Sequence, residues 1–149
     1  MSTPNGSRLS TDEYFLEMAA LAAKRGTCAR RQVGCVLVDR YSHVLATGYN
    51  GVCRGAVHCI DQPCAGAHAP SGQALHLCEA IHAEENAFFN DTATTEIYTV
   101  YTTASPCVLC MRQLVGTGVQ RIVFREAYPH AEAYLMAKER DIEWLLRPK

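Results

Sequence analysis

Short apolar runs rich in valine alternate along this chain with stretches in which apolar residues recur at helical spacing, and that alternation restricts the fold more than any other feature. The first helical stretch carries Tyr14, Phe15, Met18, Ala19 and Leu21, with Ser10 or Thr11 as its cap and an end near Gly26. Two strand-like runs follow, Val33 to Asp39 and Val44 to Tyr49, and the short polar link between them suits a hairpin. Beyond a long irregular segment, the pattern predicts a helix from about Leu77 to Phe89, a strand from Ile97 to Thr103, and a helix from about Cys107 to Val115 closed by Gly116 and Gly118. A strand from Arg121 to Phe124, a helix from about His130 to Glu139 and a last strand near Ile142 to Leu146 complete the series. Strands interleaved with helices predict an α/β chain with three layers, α/β/α, around a central mixed five-stranded sheet. Its 149 residues fit one domain, 1–149, able to bury about two thirds of the surface the unfolded chain exposes, with no covalent staple required. Residues 1–10 are expected to be flexible. Residues 51–76, rich in Gly, Pro, Ala, Cys and His without periodicity, read as a long functional loop.

The formal net charge of −1 lacks the basic excess of a protein that grips many phosphates along a polynucleotide, so a small ligand is the expected partner. No run approaches the length of a membrane span, and the polar N-terminal stretch has no signal-peptide core. The expectation is a cytoplasmic protein with no membrane partner. Eight cysteines in a reducing compartment call for sorting one by one. Cys35, inside VGCVLV, reads as a small buried hydrophobe.

Two motifs carry chemistry. HAEENA at 82–87 sets Glu84 two residues beyond His82, and PCVLC at 106–110 sets Cys107 and Cys110 in the first turn of a helix, with Pro106 where a missing N–H costs nothing. A catalytic zinc takes three protein ligands and keeps one position for water; His82, Cys107 and Cys110 supply three. The helix N-terminus favours thiolates there, and Glu84 can reach the open position without ligating. Either motif alone is weak, since HxE is an ordinary helix and CxxC two buried thiols. Together, with Pro106 lying 22 residues after Glu84, they match the known zinc deaminase signature H-x-E then P-C-x-x-C. Glu85 reads as a solvated helix carboxylate.

GYNG at 48–51, CARRQVGCVLV at 28–38 and TTASPCVLC at 102–110 extend the likeness, and from Tyr14 onward the chain resembles the deoxycytidylate deaminases of the zinc-dependent cytidine/deoxycytidylate deaminase superfamily. The resemblance implies a cytidine-deaminase-like fold and hydrolysis of dCMP to dUMP, upstream of thymidylate synthesis. Further implications are a homo-oligomer, often a hexamer, activated by dCTP and inhibited by dTTP at a site to which GYNG contributes. Mg²⁺ is expected to accompany the triphosphate effectors. Glu84 would be the proton carrier.

Substrate contacts are less sharply written. Asn50, in a glycine-flanked turn, suits the sugar hydroxyl, although Asn-Gly is also simply a turn. Arg30 and Arg31 offer planar donors for a 5′-phosphate; the resemblance favours Arg30, and a solvated charge is the plain alternative. Backbone groups of Ala83 and Ser105 are expected beside the pyrimidine. Some similar proteins bind a second, structural zinc at places matching Cys28 and Cys59; Cys64 and Cys78 would complete the set, with His58 and His68 as alternatives, against a reading as reduced packed thiols. Tyr49, Tyr98, Tyr101 and Trp144 fall on strands as core or interface residues, His43, His76 and His130 read as surface or packing residues, and Cys53 is unassigned. Competing functions are deamination of another base or nucleotide, dual dCMP/dCTP specificity above all, and a catalytically silent zinc-stabilised nucleotide-binding module.

Overall fold

A computed structural model describes residues 8–28, 31–51, 57–58, 60–61, 81–90 (side chains to residue 88), 96–128 and 131–149. Helix α1 spans Thr11–Ala23, and Ser10 caps it by accepting a hydrogen bond from the Glu13 amide at 3.1 Å. Strands β1 (Gly34–Val38) and β2 (Val44–Tyr49) form the expected antiparallel hairpin. Asp39 organises its turn: one carboxylate oxygen accepts from the amides of Tyr41 and His43 at 2.8 and 2.9 Å, while Ser42 adopts the left-handed conformation at φ 65°.

The remaining elements are α2 (Ala83–Asn90), β3 (Thr99–Ala104), α3 (Val108–Val115), β4 (Arg121–Glu126), α4 (Ala131–Glu139) and β5 (Glu143–Leu146). Strand order is β2-β1-β3-β4-β5. β3 runs antiparallel to β1, whereas β4 and β5 run parallel to β3 and β4, so the sheet is mixed and five-stranded. Each helix after β3 serves as the crossover of a parallel βαβ unit.

Side-chain alternation along the strands divides the core into two. Val36, Val38, Tyr101 and Val123 meet Phe15, Leu16 and Ala19 of α1 on one face. Cys35, Leu37, Val100, Ile122 and Phe124 meet Ala83 and Ala87 of α2, Met111 and Leu114 of α3, and Ala133 and Ala137 of α4 on the other. The three α/β/α layers follow from this period of two. Two glycines let helices approach the sheet closely. A Cβ at Gly34 would lie 1.9 Å from the Ala19 carbonyl oxygen of α1, and one at Gly48 would lie 2.3 Å from the Ala83 oxygen of α2.

Two expectations need correction. The helix expected from Leu77 begins at Ala83: Ile81 instead pairs with Gly51, donating its amide to the Gly51 carbonyl at 2.6 Å and accepting the Gly51 amide at 3.0 Å, which removes its backbone from any helical ladder. Tyr98, expected within a strand, precedes β3 and is exposed, while Tyr101 is fully buried as expected. Most of 51–76 and Cys53, His76 and His130 lie outside the described residues.

Candidate active site

The loop entering α2 and the N-terminus of α3 bring the candidate metal ligands together. Cys107 occupies the N-cap of α3 with extended backbone, and its side chain makes no capping bond. Cys110 lies in the first turn and is completely buried. His82 immediately precedes α2, and its Nδ1 lies 3.5 Å from Cys107 Sγ and 3.4 Å from Cys110 Sγ. Among the described residues, these are the side chains whose donor atoms gather as a metal-ligand set, all within 4.8 Å of one another. A tetrahedral zinc, with Zn–S about 2.3 Å and Zn–N about 2.05 Å, separates nitrogen from sulfur by about 3.5 Å, so the set fits that ion.

Charge within the cluster is unevenly held. The hydrogen bond from Cys110, joined by His82, brings the Cys107 thiol down to about 4. His82 is raised to about 9, chiefly by its contact with Cys107. Cys110, which donates its hydrogen bond to Cys107 and is buried, is pushed upward. One thiolate thus serves two protonated neighbours.

Glu84, in the first turn of α2, is buried at 4 % exposure beside this cluster. Burial raises its carboxyl, and His82 opposes the rise. Thr102, on β3, is fully buried with its hydroxyl 3.3 Å from Glu84 Oε1 and 2.8 Å from the Ala104 carbonyl oxygen. Cys35 stands opposite Thr102 in the β1–β3 register, and burial followed by the Glu84 charge holds it as a thiol. Sequence reading passed over Thr102, although a polar residue at an inward position of a buried strand is a signal.

Asn50 is buried with both ends of its amide engaged: Oδ1 accepts from the Val33 amide at 2.7 Å, and Nδ2 donates to the Arg31 carbonyl at 2.6 Å. It therefore clamps the segment leading into β1. Arg31 also pairs with Glu126 at 2.6 Å. Ser105 is buried at the end of β3, its amide on the Glu126 carbonyl at 2.9 Å and its hydroxyl accepting from the Tyr128 amide at 2.6 Å. Ala83 opens α2 and is buried. Glu85 is half-buried. Arg30, Cys59, Cys64, Cys78 and His68 lie outside the described residues; Cys28 is a buried free thiol, and His58 is an exposed neighbour of Asp61.

A cavity of about 640 Å³ is lined by Gly48, Tyr49 and Gly51 together with Lys24, Arg25 and His58. Thr27, also on its wall, has a buried hydroxyl without a hydrogen-bond partner among the described residues. Among the described residues, no helix is long and apolar enough to cross a membrane.

Residues 9–126 match the model of the cytidine and deoxycytidylate deaminase zinc-binding region. The deoxycytidylate deaminase of Schizosaccharomyces pombe is 37% identical over 153 residues, covering 98% of this chain and 47% of that protein. The chain therefore spans about half the length of that relative. The deoxycytidylate deaminase of Mycobacterium phage D29 is 38% identical over 125 residues, covering 79% of this chain and 96% of the phage protein. Among solved structures, the dCMP deaminase of cyanophage S-TIM5 in complex with dCMP and dUMP superposes with a TM-score of 0.70 at 21% identity, over 97% of this chain and 98% of the other, a likeness of fold.

Proposed function

The chain belongs to the cytidine and deoxycytidylate deaminase zinc-binding family, and from that membership we propose that it hydrolyses dCMP to dUMP, supplying the precursor of thymidylate. The observation that carries the reading is the buried Glu84 carboxyl set beside three converging soft donors, His82, Cys107 and Cys110. The phage relative bears the name of this activity, and the cyanophage protein binds its substrate and product.

His82, Cys107 and Cys110 would hold the zinc. When bound, it supplies a water acidified from a pKa of 15.7 to about 7. Glu84 takes one proton of the attacking water and delivers it to N3 of the cytosine ring beside C4, then carries the remaining hydroxyl proton to the C4 amino group, which leaves as ammonia, each transfer contributing about 10²-fold or more. Burial suits it to the task, because a carboxyl shielded from solvent and raised by desolvation gains affinity for the proton it must accept and return. Ala83 and Ser105 offer backbone groups to the pyrimidine, Asn50 meets the sugar hydroxyl while clamping Arg31 and Val33, and Arg30 is our choice for the 5′-phosphate. The engaged Asn50 amide supports this arrangement: Oδ1 retains a second lone pair and Nδ2 a second proton.

The cavity beside GYNG supports effector binding, because Lys24, Arg25 and His58 offer cationic or donor groups and Thr27 a hydroxyl, unpartnered among the described residues, to a triphosphate carrying Mg²⁺. dCTP raises and dTTP depresses activity there, in a homo-hexamer in the cytoplasm. Cys28, with Cys59, Cys64 and Cys78, holds a second, structural zinc.

The test is loss of cytosine absorbance with dCMP, dCTP, cytidine and cytosine in turn, with and without the two effectors, on protein of measured zinc content. Turnover of dCMP above the others supports the reading. Equal use of dCTP replaces it with dual specificity, and no turnover by zinc-replete protein leaves a nucleotide-binding module. One zinc per chain at full activity rejects the Cys₄ site.

A further inference from the structure

Glu84 must present its carboxylate in one orientation through successive proton transfers, and a glutamate has three side-chain torsions to fix. Of the candidate metal ligands, Cys110 reaches the Glu84 carboxyl as a thiol, a hydrogen bond it cannot donate as a thiolate on a metal. A side-chain anchor that lasts when metal is bound needs a partner outside the ligand set.

β3 provides one. Thr102 sits in the middle of the sheet, flanked in register by Cys35 of β1 and Phe124 of β4, and is completely buried. Its β-branched side chain has few rotamers on a strand, so its hydroxyl position is set by the backbone. That hydroxyl lies 3.3 Å from Glu84 Oε1 and 2.8 Å from the carbonyl oxygen of Ala104. One hydroxyl proton faces two acceptors. It can be given to the Glu84 carboxylate, or to Ala104 while an oxygen lone pair receives a carboxyl O–H, so the contact persists whether or not Glu84 carries the proton. Cys35, the other side chain held next to Glu84 by this register, offers only a weak S–H donor.

Resting on the deaminase reading, we infer that Thr102 is a positioning residue for the reaction: its hydroxyl anchors Oε1 of Glu84 and so orients the carboxyl for proton transfer. Thr102 touches neither substrate nor metal in this scheme. Its loss therefore lowers kcat and leaves KM and zinc content alone. A purely structural role, as a cap on the Ala104 carbonyl, would instead lower thermal stability without singling out kcat.

The experiment compares wild type, Thr102→Val and Thr102→Ser in the full chain, measuring kcat and KM for dCMP, zinc content and Tm. Valine keeps the branched shape and removes the hydroxyl; serine keeps the hydroxyl and guards against a folding artefact. The expected result is a kcat lowered about 10-fold in Thr102→Val, with KM within about twofold of wild type and zinc content equal, and recovery to within about threefold in Thr102→Ser. A Thr102→Val kcat within about twofold of wild type overturns the inference, as does a loss matched by zinc loss or one that serine fails to restore. A zinc-loaded wild type that deaminates no cytosine nucleotide removes both the reading and the inference, whereas an active wild type with an indifferent Thr102→Val removes the inference alone.

Discussion

His82 and Cys110 each hold a proton at neutral pH while Cys107 is a thiolate, because the imidazole is raised to about 9, Cys110 is pushed upward and Cys107 is held at about 4. A zinc ion entering the set has to displace both protons, since a metal ligates neutral imidazole and thiolate. Lower pH therefore disfavours the loaded state. Adding zinc to the chelator-stripped protein at pH 7 should release about two protons per ion bound at this site, and its apparent affinity should fall steadily from pH 8 to about pH 5. Proton release measured in buffers of different ionisation enthalpy checks this; zinc affinity independent of pH would contradict the assignment of these ligands. Glu84→Gln separates metal holding from proton carriage: the amide preserves shape but cannot shuttle a proton. Zinc content should stay at the wild-type value while kcat falls by at least about 10²-fold. His82, Glu84, Cys107 and Cys110 were legible in the sequence because each pair lies within one turn of a helix start, so local spacing already reports their relation. Thr102 was not, because its contact with Glu84 joins residues 18 apart through the meeting of β3 with α2, which no local pattern encodes. Asn50 was half legible: its turn could be read, but its clamp on Val33 and Arg31 could not.

At the scale of elements, the site depends on how closely α2 can lie against β2. Gly48 permits that approach, since a Cβ there would come within 2.3 Å of the Ala83 oxygen and 2.5 Å of the Ala87 amide, both backbone atoms that cannot swing aside. Gly48→Ala should therefore displace α2, together with His82 and Glu84 at its start. We expect a loss of about 2 kcal/mol or more in stability, with weaker zinc retention. Gly116→Ala is the control, because its new Cβ would meet the nearest atom at 3.5 Å, ordinary contact. Urea denaturation of both variants checks the contrast, and equal behaviour would show that α2 does not need the glycine. Helix α2 also explains one failed boundary. Leu77 and Ile81 stand one helical turn apart in the sequence, which extends the periodic pattern backward; the paired hydrogen bonds between Ile81 and Gly51 oppose it. Pairing of residues 30 positions apart lies beyond what periodicity reports.

Across the whole molecule, the layers were legible because strand and helix periods dictate which side chains must be covered, but the order β2-β1-β3-β4-β5 was not, because it is settled by long-range pairing. The same long-range closure shows in the ion pairs that tie α1 to the parallel strands. Asp12 accepts from the Tyr101 hydroxyl at 2.7 Å and pairs with Arg121 at 3.2 Å, while Glu13 pairs with Arg125 at 2.8 Å. Burial alone would raise Asp12, but Tyr101 and Arg121 outweigh it and hold the carboxyl below its ordinary value; the Arg125 hydrogen bond does the same for Glu13. A group whose folded pKa is depressed contributes stability above its unfolded pKa, about 3.9 for an aspartate, and loses it as pH falls through the folded value. The contribution of Asp12 is therefore complete at pH 7 and fades only below about pH 4. Asp12→Asn removes the charge and keeps an oxygen for Tyr101, so at pH 7 it should cost about 1 kcal/mol, or about 2–4 °C in Tm for a chain of this size. Toward pH 3 the wild-type carboxyl takes up a proton of its own and the two proteins should converge. Urea midpoints of the pair at pH 7, 5 and 3 follow that convergence. A gap that persists undiminished at pH 3 would mean that the Asp12 charge is not what secures α1 to β3 and β4.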